Sequence, residues 1–233
     1  MSGWNVRYNR ARREPPLALL VFVKGSCMAR LAVFIDGGYL DVLARDHFKV
    51  WVDYAKLSDQ IVAVVASKTP EPVDRLRTYY YHSLPYQSNP PTPIEAQRYS
   101  QKHRLFERLR YLDRFEIRLG RLMPRGADSA GIPIFQQKGV DLLLGLDFAL
   151  LSGKRQITHA AVVSGDSDLK PAFDVARTEG ISLWLFHGPR QGRGGINTVA
   201  SELYLAADER VEIDQQFMNR IAMPPQPRMP LRP

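Results

Sequence analysis

Cysteine is nearly missing from this sequence: the 233 residues contain one, Cys27. A single thiol excludes an internal disulfide framework and a cysteine-built zinc centre, and it suits a reducing compartment. Histidine is sparse as well. His82, His103 and His159 show no H-x-x-x-H spacing, so a histidine metal site is not expected. Long apolar runs are lacking. LALLVFV (17–23) is the longest near the start, far short of the roughly 20 residues that cross a bilayer. A basic stretch precedes it, but KGSCMAR after it makes a poor signal-peptide cleavage site. No G-x-x-x-x-G-K-[ST] occurs, which removes a P-loop. A cytoplasmic protein without a membrane partner is the expectation. Acidic residues are in deficit, 24 against 32 basic ones, for a net charge of +8. That excess favours anionic partners, nucleic acid first among them.

What is present reads as one domain with extensions. Hydrophobic residues make up 45% and charged residues 24%, enough apolar surface for a real core. LAVFID (31–36), an apolar run ended by an acid and two glycines, reads as a buried parallel strand and its exit turn. Leu57, Ile61, Val62, Val64 and Val65 fit one broad helix face. RLRTYYYHS (75–83) predicts a strand, and SLPYQSNPPTP (83–93) a loop. IEAQRYSQKHRLFERLRYL (94–112) predicts a charged amphipathic helix, FEIRLGRL (115–122) an edge or half-buried strand. Met123 to Gln137 lacks periodicity and is expected to be loop.

VDLLLGLDFALLSG (140–153) reads as a buried helix closed by Gly153 as its cap. HAAVVSGD (159–166) follows as a strand, LKPAFDVARTEG (169–180) as a helix ending at Gly180, and ISLWLFHG (181–188) as a strand. PRQGRGG (189–195) is a flexible basic loop, INTVASELYLAAD (196–208) a final helix, and RVEID (210–214) a last short strand. Residues 1–28 are expected to be a loosely ordered extension, with Met28 a candidate start, and 215–233 a proline-rich disordered tail. Alternating strands and helices predict an α/β domain over 29–214, doubly wound, with a mainly parallel sheet and helices on both faces.

Ligands of such sheets sit outside the carboxyl ends of the strands. VFIDGG puts Asp36 there, and VVSGDSD puts Asp166 and Asp168 there. Asp141 opens the buried helix behind Lys138 and Gly139, and joins them if that helix starts at the same rim. Like charges a few ångströms apart raise each other's pKa, and a divalent cation relieves the strain. An all-oxygen set suits Mg²⁺ or Mn²⁺ rather than Zn²⁺. Each acid alone also has a local explanation: Asp36 as a turn residue, Asp168 as a helix cap, Asp141 as a partner of the helix dipole.

Asp147 lies six residues beyond Asp141, roughly 240° around the axis, so it supports the acids from behind or pairs with a base. Ser164 and Ser167 either orient the carboxylates or simply form the turn. Lys138, Arg190 and Arg193 are candidates for phosphate contact, and Arg121 and Arg125 add basic surface. Tyr79, Tyr80 and Tyr81 either stack on bases or pack as core.

Three blocks carry a resemblance: LAVFIDGGYL (31–40), QKGVDLLLGLDFALL (137–151) and AVVSGDSDLKPAFDVARTEGISLWLF (161–186). In order, spacing and flanks they resemble the NYN domain family, a branch of the PIN-like nuclease superfamily, from about residue 30 to about 214. The resemblance implies a PIN-like fold and an acidic Mg²⁺ or Mn²⁺ site that cuts RNA, single-stranded or structured. By motif, Asp36 matches the first-strand acid, Asp141 the acid after K-G-V, and Asp166 and Asp168 the G-D-S-D acids, as catalytic and metal-holding residues. Many members carry an Asn two or three residues after the first Asp, where this sequence has Gly38 and Tyr39. Two rivals stand beside a ribonuclease. One is a noncatalytic RNA-binding or regulatory module with the same fold. The other is a haloacid-dehalogenase-type phosphatase, which needs a second acid two residues after its nucleophile, where Gly38 stands.

Overall fold

Strand β1 (Ala29–Asp36) is apolar on both sides, and that places it at the centre of a sheet covered on both faces. Leu31, Val33 and Ile35 are fully buried in one core, Ala32 and Phe34 in the other. The computed structural model describes residues 28–127, 133–190 and 198–224. Along the chain β1 is followed by β2 (Val73–Ser83), β3 (Phe115–Ala127), β4 (Pro133–Lys138), β5 (His159–Val163), β6 (Ser182–His187) and β7 (Glu209–Glu212). Their order in space is β4-β3-β2-β1-β5-β6-β7. All pairings are parallel except that of β4, which runs antiparallel to β3. The chain winds outward from β1 in both directions, so the order reverses between β1 and β5. A doubly wound sheet opens its crevice at that reversal, on the carboxyl side.

The helices divide by face. α1 (Gly37–Val42), continued by a π-helical turn at Leu43–His47, α2 (Tyr54–Lys68) and α3 (Pro93–Arg110) cover the side of Leu31, Val33 and Ile35. α4 (Val140–Gly153), α5 (Lys170–Thr178) and α6 (Ser201–Ala206) cover the side of Ala32 and Phe34. α7 (Gln215–Ile221) returns to the first side. Local chemistry sets their ends. In α3, Thr92 and Glu95 form a capping box, with Pro93 in the first turn. Leu57, Ile61 and Val65, four residues apart, are the buried stripe of α2. Among the described residues no helix is long and apolar enough to cross a membrane.

Four expectations need correction. Met123 to Gln137 is not loop throughout, because β3 runs on to Ala127 and β4 begins at Pro133. Pro124 and Gly126 interrupt the alternation that would reveal a strand. Gly153 is the last helical residue of α4 rather than its cap, and the left-handed turn falls on Arg155, at φ 52°. The helix expected over 196–208 is confined, among the described residues, to Ser201–Ala206. The disordered tail does not start at 215. Asp214 caps α7, which buries Phe217, Met218 and Ile221, a helix too short for periodicity to stand out. The tyrosine triplet is core: Tyr80 packs on one side of the sheet, Tyr79 and Tyr81 on the other, and none is free to stack on a base. The expectations for residues 1–27, for most of the basic loop (191–195) and for 225–233 fall outside the described residues.

Candidate active site at the carboxyl rim

Asp36 is the last residue of β1 and the cap of α1. Its Oδ1 accepts the Tyr39 amide at 3.0 Å, and its Oδ2 accepts the Ser164 hydroxyl at 3.3 Å. The second contact follows from register, since Ile35 pairs with Val163 and the next residues therefore end side by side. Glycines make this approach possible. A Cβ on Gly37 would stand 2.5 Å from the Tyr80 ring and 2.7 Å from His82. One on Gly165 would stand 2.0 Å from the Thr198 carbonyl oxygen.

Asp166 and Asp168 follow β5. Asp166 caps the 3₁₀ turn Ser167–Leu169 by accepting the Asp168 amide at 3.0 Å, so the cap expected of Asp168 belongs to Asp166. The fully buried Ser164 is the joint between the two strands, because its Oγ also accepts the Asp166 amide at 3.3 Å. Asp141 lies in the first turn of α4, after Gly139 turns the chain at φ 84°. All four acids thus stand at the carboxyl side of the sheet, around the β1–β5 reversal.

Their electrostatics couple them. Burial pushes the Asp36 carboxyl above its ordinary range; the Tyr39 amide opposes this and the charge of Asp141 adds to it. Asp141 is raised by burial first, then by the charges of Asp166 and Asp168. Among the described residues no Lys, Arg or His forms an ion pair with any of the four. An uncompensated all-oxygen set matches a hard divalent cation in donor chemistry. The approach is incomplete, however: as they stand, no three His, Cys, Asp or Glu side chains among the described residues are grouped so that they could hold an ion.

The family model of the NYN domain matches residues 30–214. The chain belongs to the NYN domain family. This is a PIN-like nuclease family, and the six parallel strands flanked by helices agree with it. Comparison with curated proteins gives no match.

Other candidate residues of this NYN domain fare unequally. Asp147 does not support the acids: it pairs with Arg118 at 2.9 Å and accepts the Tyr81 hydroxyl at 3.0 Å. Its angular offset from Asp141 on α4 aims it at β3 instead. Ser167 is exposed, and its hydroxyl makes no hydrogen bond to an acid among the described residues. Lys138 ends β4, exposed. Arg190 lies over the Tyr204 ring, 4.0 Å from its centroid, and His187 meets that ring edge-on. Arg193 lies outside the described residues.

Two features of the rim escaped the sequence reading. Tyr39 lies three residues after Asp36. Its hydroxyl accepts the Gly188 amide at 2.7 Å, so it ties the Asp36 turn to the end of β6. Asp41, on the same short helix, meets His82 Nε2 at 3.0 Å and pairs with Lys102. Burial pushes Asp41 up, but the bond from His82 and the charge of Lys102 outweigh it and leave the carboxyl below its usual range. The only signal for these residues was their closeness to Asp36 in the chain, since their partners come from β2, α3 and β6.

Proposed function

We propose that this NYN domain is a metal-dependent ribonuclease that hydrolyses RNA phosphodiester bonds, with Asp36, Asp141, Asp166 and Asp168 holding Mg²⁺ or Mn²⁺. The carrying observation is the gathering of acids at the rim: Asp141 is raised by burial first and then by the charges of Asp166 and Asp168, Asp36 by burial first with the charge of Asp141 adding to it, and among the described residues no Lys, Arg or His forms an ion pair with them. Carboxyl groups perturbed as Asp36 and Asp141 are gather where chemistry is done. When bound, the divalent ion supplies a water of lowered pKa and offsets charge on the phosphate oxygens.

The protein's own part is positioning. The Tyr39 amide and the Ser164 hydroxyl hold one oxygen each of Asp36, so its aim is set before substrate arrives. Ser164 passes that alignment to the Asp166 turn through the Asp166 amide. Lys138 and Arg190 contribute positive charge for the RNA backbone. The acids also stand at the strand ends where doubly wound sheets take their ligands, a place an extended polymer can reach.

A panel of single-stranded and structured RNAs, incubated with Mn²⁺ or with chelator, tests the reading. Cleavage should require the metal and fall at least about a hundredfold in Asp36→Asn and Asp141→Asn. Metal-dependent cleavage that survives Asp36→Asn or Asp166→Asn would sink it. A second reading, a noncatalytic RNA-binding module, draws on the capping roles of Asp36 and Asp166 and on the incomplete approach of the acids. Tight RNA binding without cleavage, unchanged by chelator, would favour it.

A further inference from the structure

The pairing of β2 with β3 ends at Ser83 and Gly120. Asp36 pairs with Tyr81, and Tyr81 with Arg118, so β3 passes the row of Asp36 at Arg118 and leaves the sheet two residues later. From Arg121 to Ala127 it pairs with β4 only. This stretch is a two-stranded arm, roughly 20 Å long, on the rim side of the sheet. Its second strand ends at Lys138 and leads through Gly139 directly into the helix that carries Asp141.

The charge on this arm is unusual. Its strand segments, RLMPRGA (121–127) and PIFQQK (133–138), hold three cations and no acid. Arg121 and Lys138 are directly opposite in the antiparallel register, hence on one face. Like charges so placed destabilise a β-pair. Both are exposed, as is Arg125, and none of the three pairs with an acid among the described residues. By contrast Arg118, just inside the sheet, is paired with Asp147. The arm thus carries repulsion that folding leaves in place and that a polyanion would remove.

We propose that the β3–β4 arm is a clamp for the RNA phosphate backbone that carries the strand away from the acidic rim without reading its sequence. Arg121, Arg125 and Lys138 each neutralise phosphate charge, and contacts of that kind position a backbone without carrying sequence information. The proposal takes RNA as the polyanion from the ribonuclease reading, but it concerns binding and needs no cleavage.

The test is the salt dependence of binding, measured by fluorescence anisotropy with labelled oligouridylate and a mixed-sequence RNA, in chelator so that nothing is cut. Each phosphate contact with single-stranded nucleic acid contributes about 0.7 to the slope of log K against log salt. The full chain carrying Arg121→Gln, Arg125→Gln and Lys138→Gln should lose about 2 from that slope, equally for both RNAs. A control with Lys154→Gln, Arg155→Gln and Arg177→Gln removes the same charge at and just past the ends of α4 and α5, on the amino side of the sheet, and should keep the slope. Equal losses in the two variants, no loss in the arm variant, a loss for one RNA only, or no RNA binding by the wild-type chain each overturn the clamp. Wild-type cleavage assays separate the two proposals: cleavage with an unchanged slope removes the clamp alone, and arm-dependent binding without cleavage removes the ribonuclease alone.

Discussion

The Ser164 hydroxyl donates to Asp36 Oδ2 and accepts the Asp166 amide, both at 3.3 Å. One buried side chain thus joins two strand ends that are 128 residues apart in sequence. Ser164→Ala should cost about 1 kcal/mol of stability, the usual net worth of a buried hydrogen bond. It should also raise the Asp36 pKa further, because the lost donor favoured the ionised form. Urea denaturation checks the first expectation, and carboxyl titration by NMR the second.

Stability against pH should report the crowded rim in metal-free protein. Asp36 and Asp141 have folded pKa values above the ordinary 3.8, so the folded state binds their protons more tightly than the unfolded chain does. Their contribution is therefore most favourable at low pH and declines as pH rises from about 3.8 through the folded values. Asp41 acts oppositely: its lowered pKa stabilises above 3.8 and is lost as pH falls below it. Asp36→Asn keeps a capping side chain but removes the charge, so its stability relative to wild type should improve from pH 3.5 to pH 7. Urea midpoints across that range decide; a constant difference would contradict the assignment.

Divalent metal should stabilise the wild-type chain and not the variant that lacks the central charge. At a Mn²⁺ concentration a hundred times the dissociation constant, linkage predicts about 2.7 kcal/mol. Differential scanning calorimetry should show a higher Tm with Mn²⁺ in wild type and a much smaller shift in Asp36→Asn.

Two glycines should respond in opposite ways to alanine. In Gly165→Ala the new methyl meets a backbone carbonyl at 2.0 Å, which cannot rotate away. A loss of about 1–3 kcal/mol is expected, with the Asp166 turn displaced and cleavage reduced. Gly153 ends α4 with nothing near a new Cβ. Gly153→Ala should gain up to about 0.5 kcal/mol with cleavage unchanged. Paired denaturation and cleavage assays check both.

Asp147→Asn separates structural from catalytic acids. It weakens the contacts with Arg118 and Tyr81 at a partly exposed site, so a loss of about 1 kcal/mol is expected. Cleavage should stay within about twofold of wild type, measured on the same RNA as Asp36→Asn.

Much of this fold was legible before any coordinates, for a physical reason. Strands buried on both faces, such as β1 and β5, must be apolar throughout, and an acid ending such a run marks the strand end. Those signals are local, so the doubly wound sheet and the rim positions of Asp36, Asp166 and Asp168 could be read directly. The edges were not legible. In the β3–β4 arm each strand pairs, among the described residues, with the other alone, so no second neighbour forces an alternating pattern. α7 buries three residues in under two turns, too few to make a period.

The site divides along the same line. The sequence by itself determined which acids stand at strand ends and in the first turn of α4, because strand length and helix phase are properties of neighbours in the chain. Only the tertiary structure decided which acid is compensated and which is not. Asp147 looked like its neighbours until Arg118 arrived from β3, while among the described residues Asp36 and Asp141 pair with no Lys, Arg or His. Electrostatic energy depends on distance through space, and packing alone sets that distance.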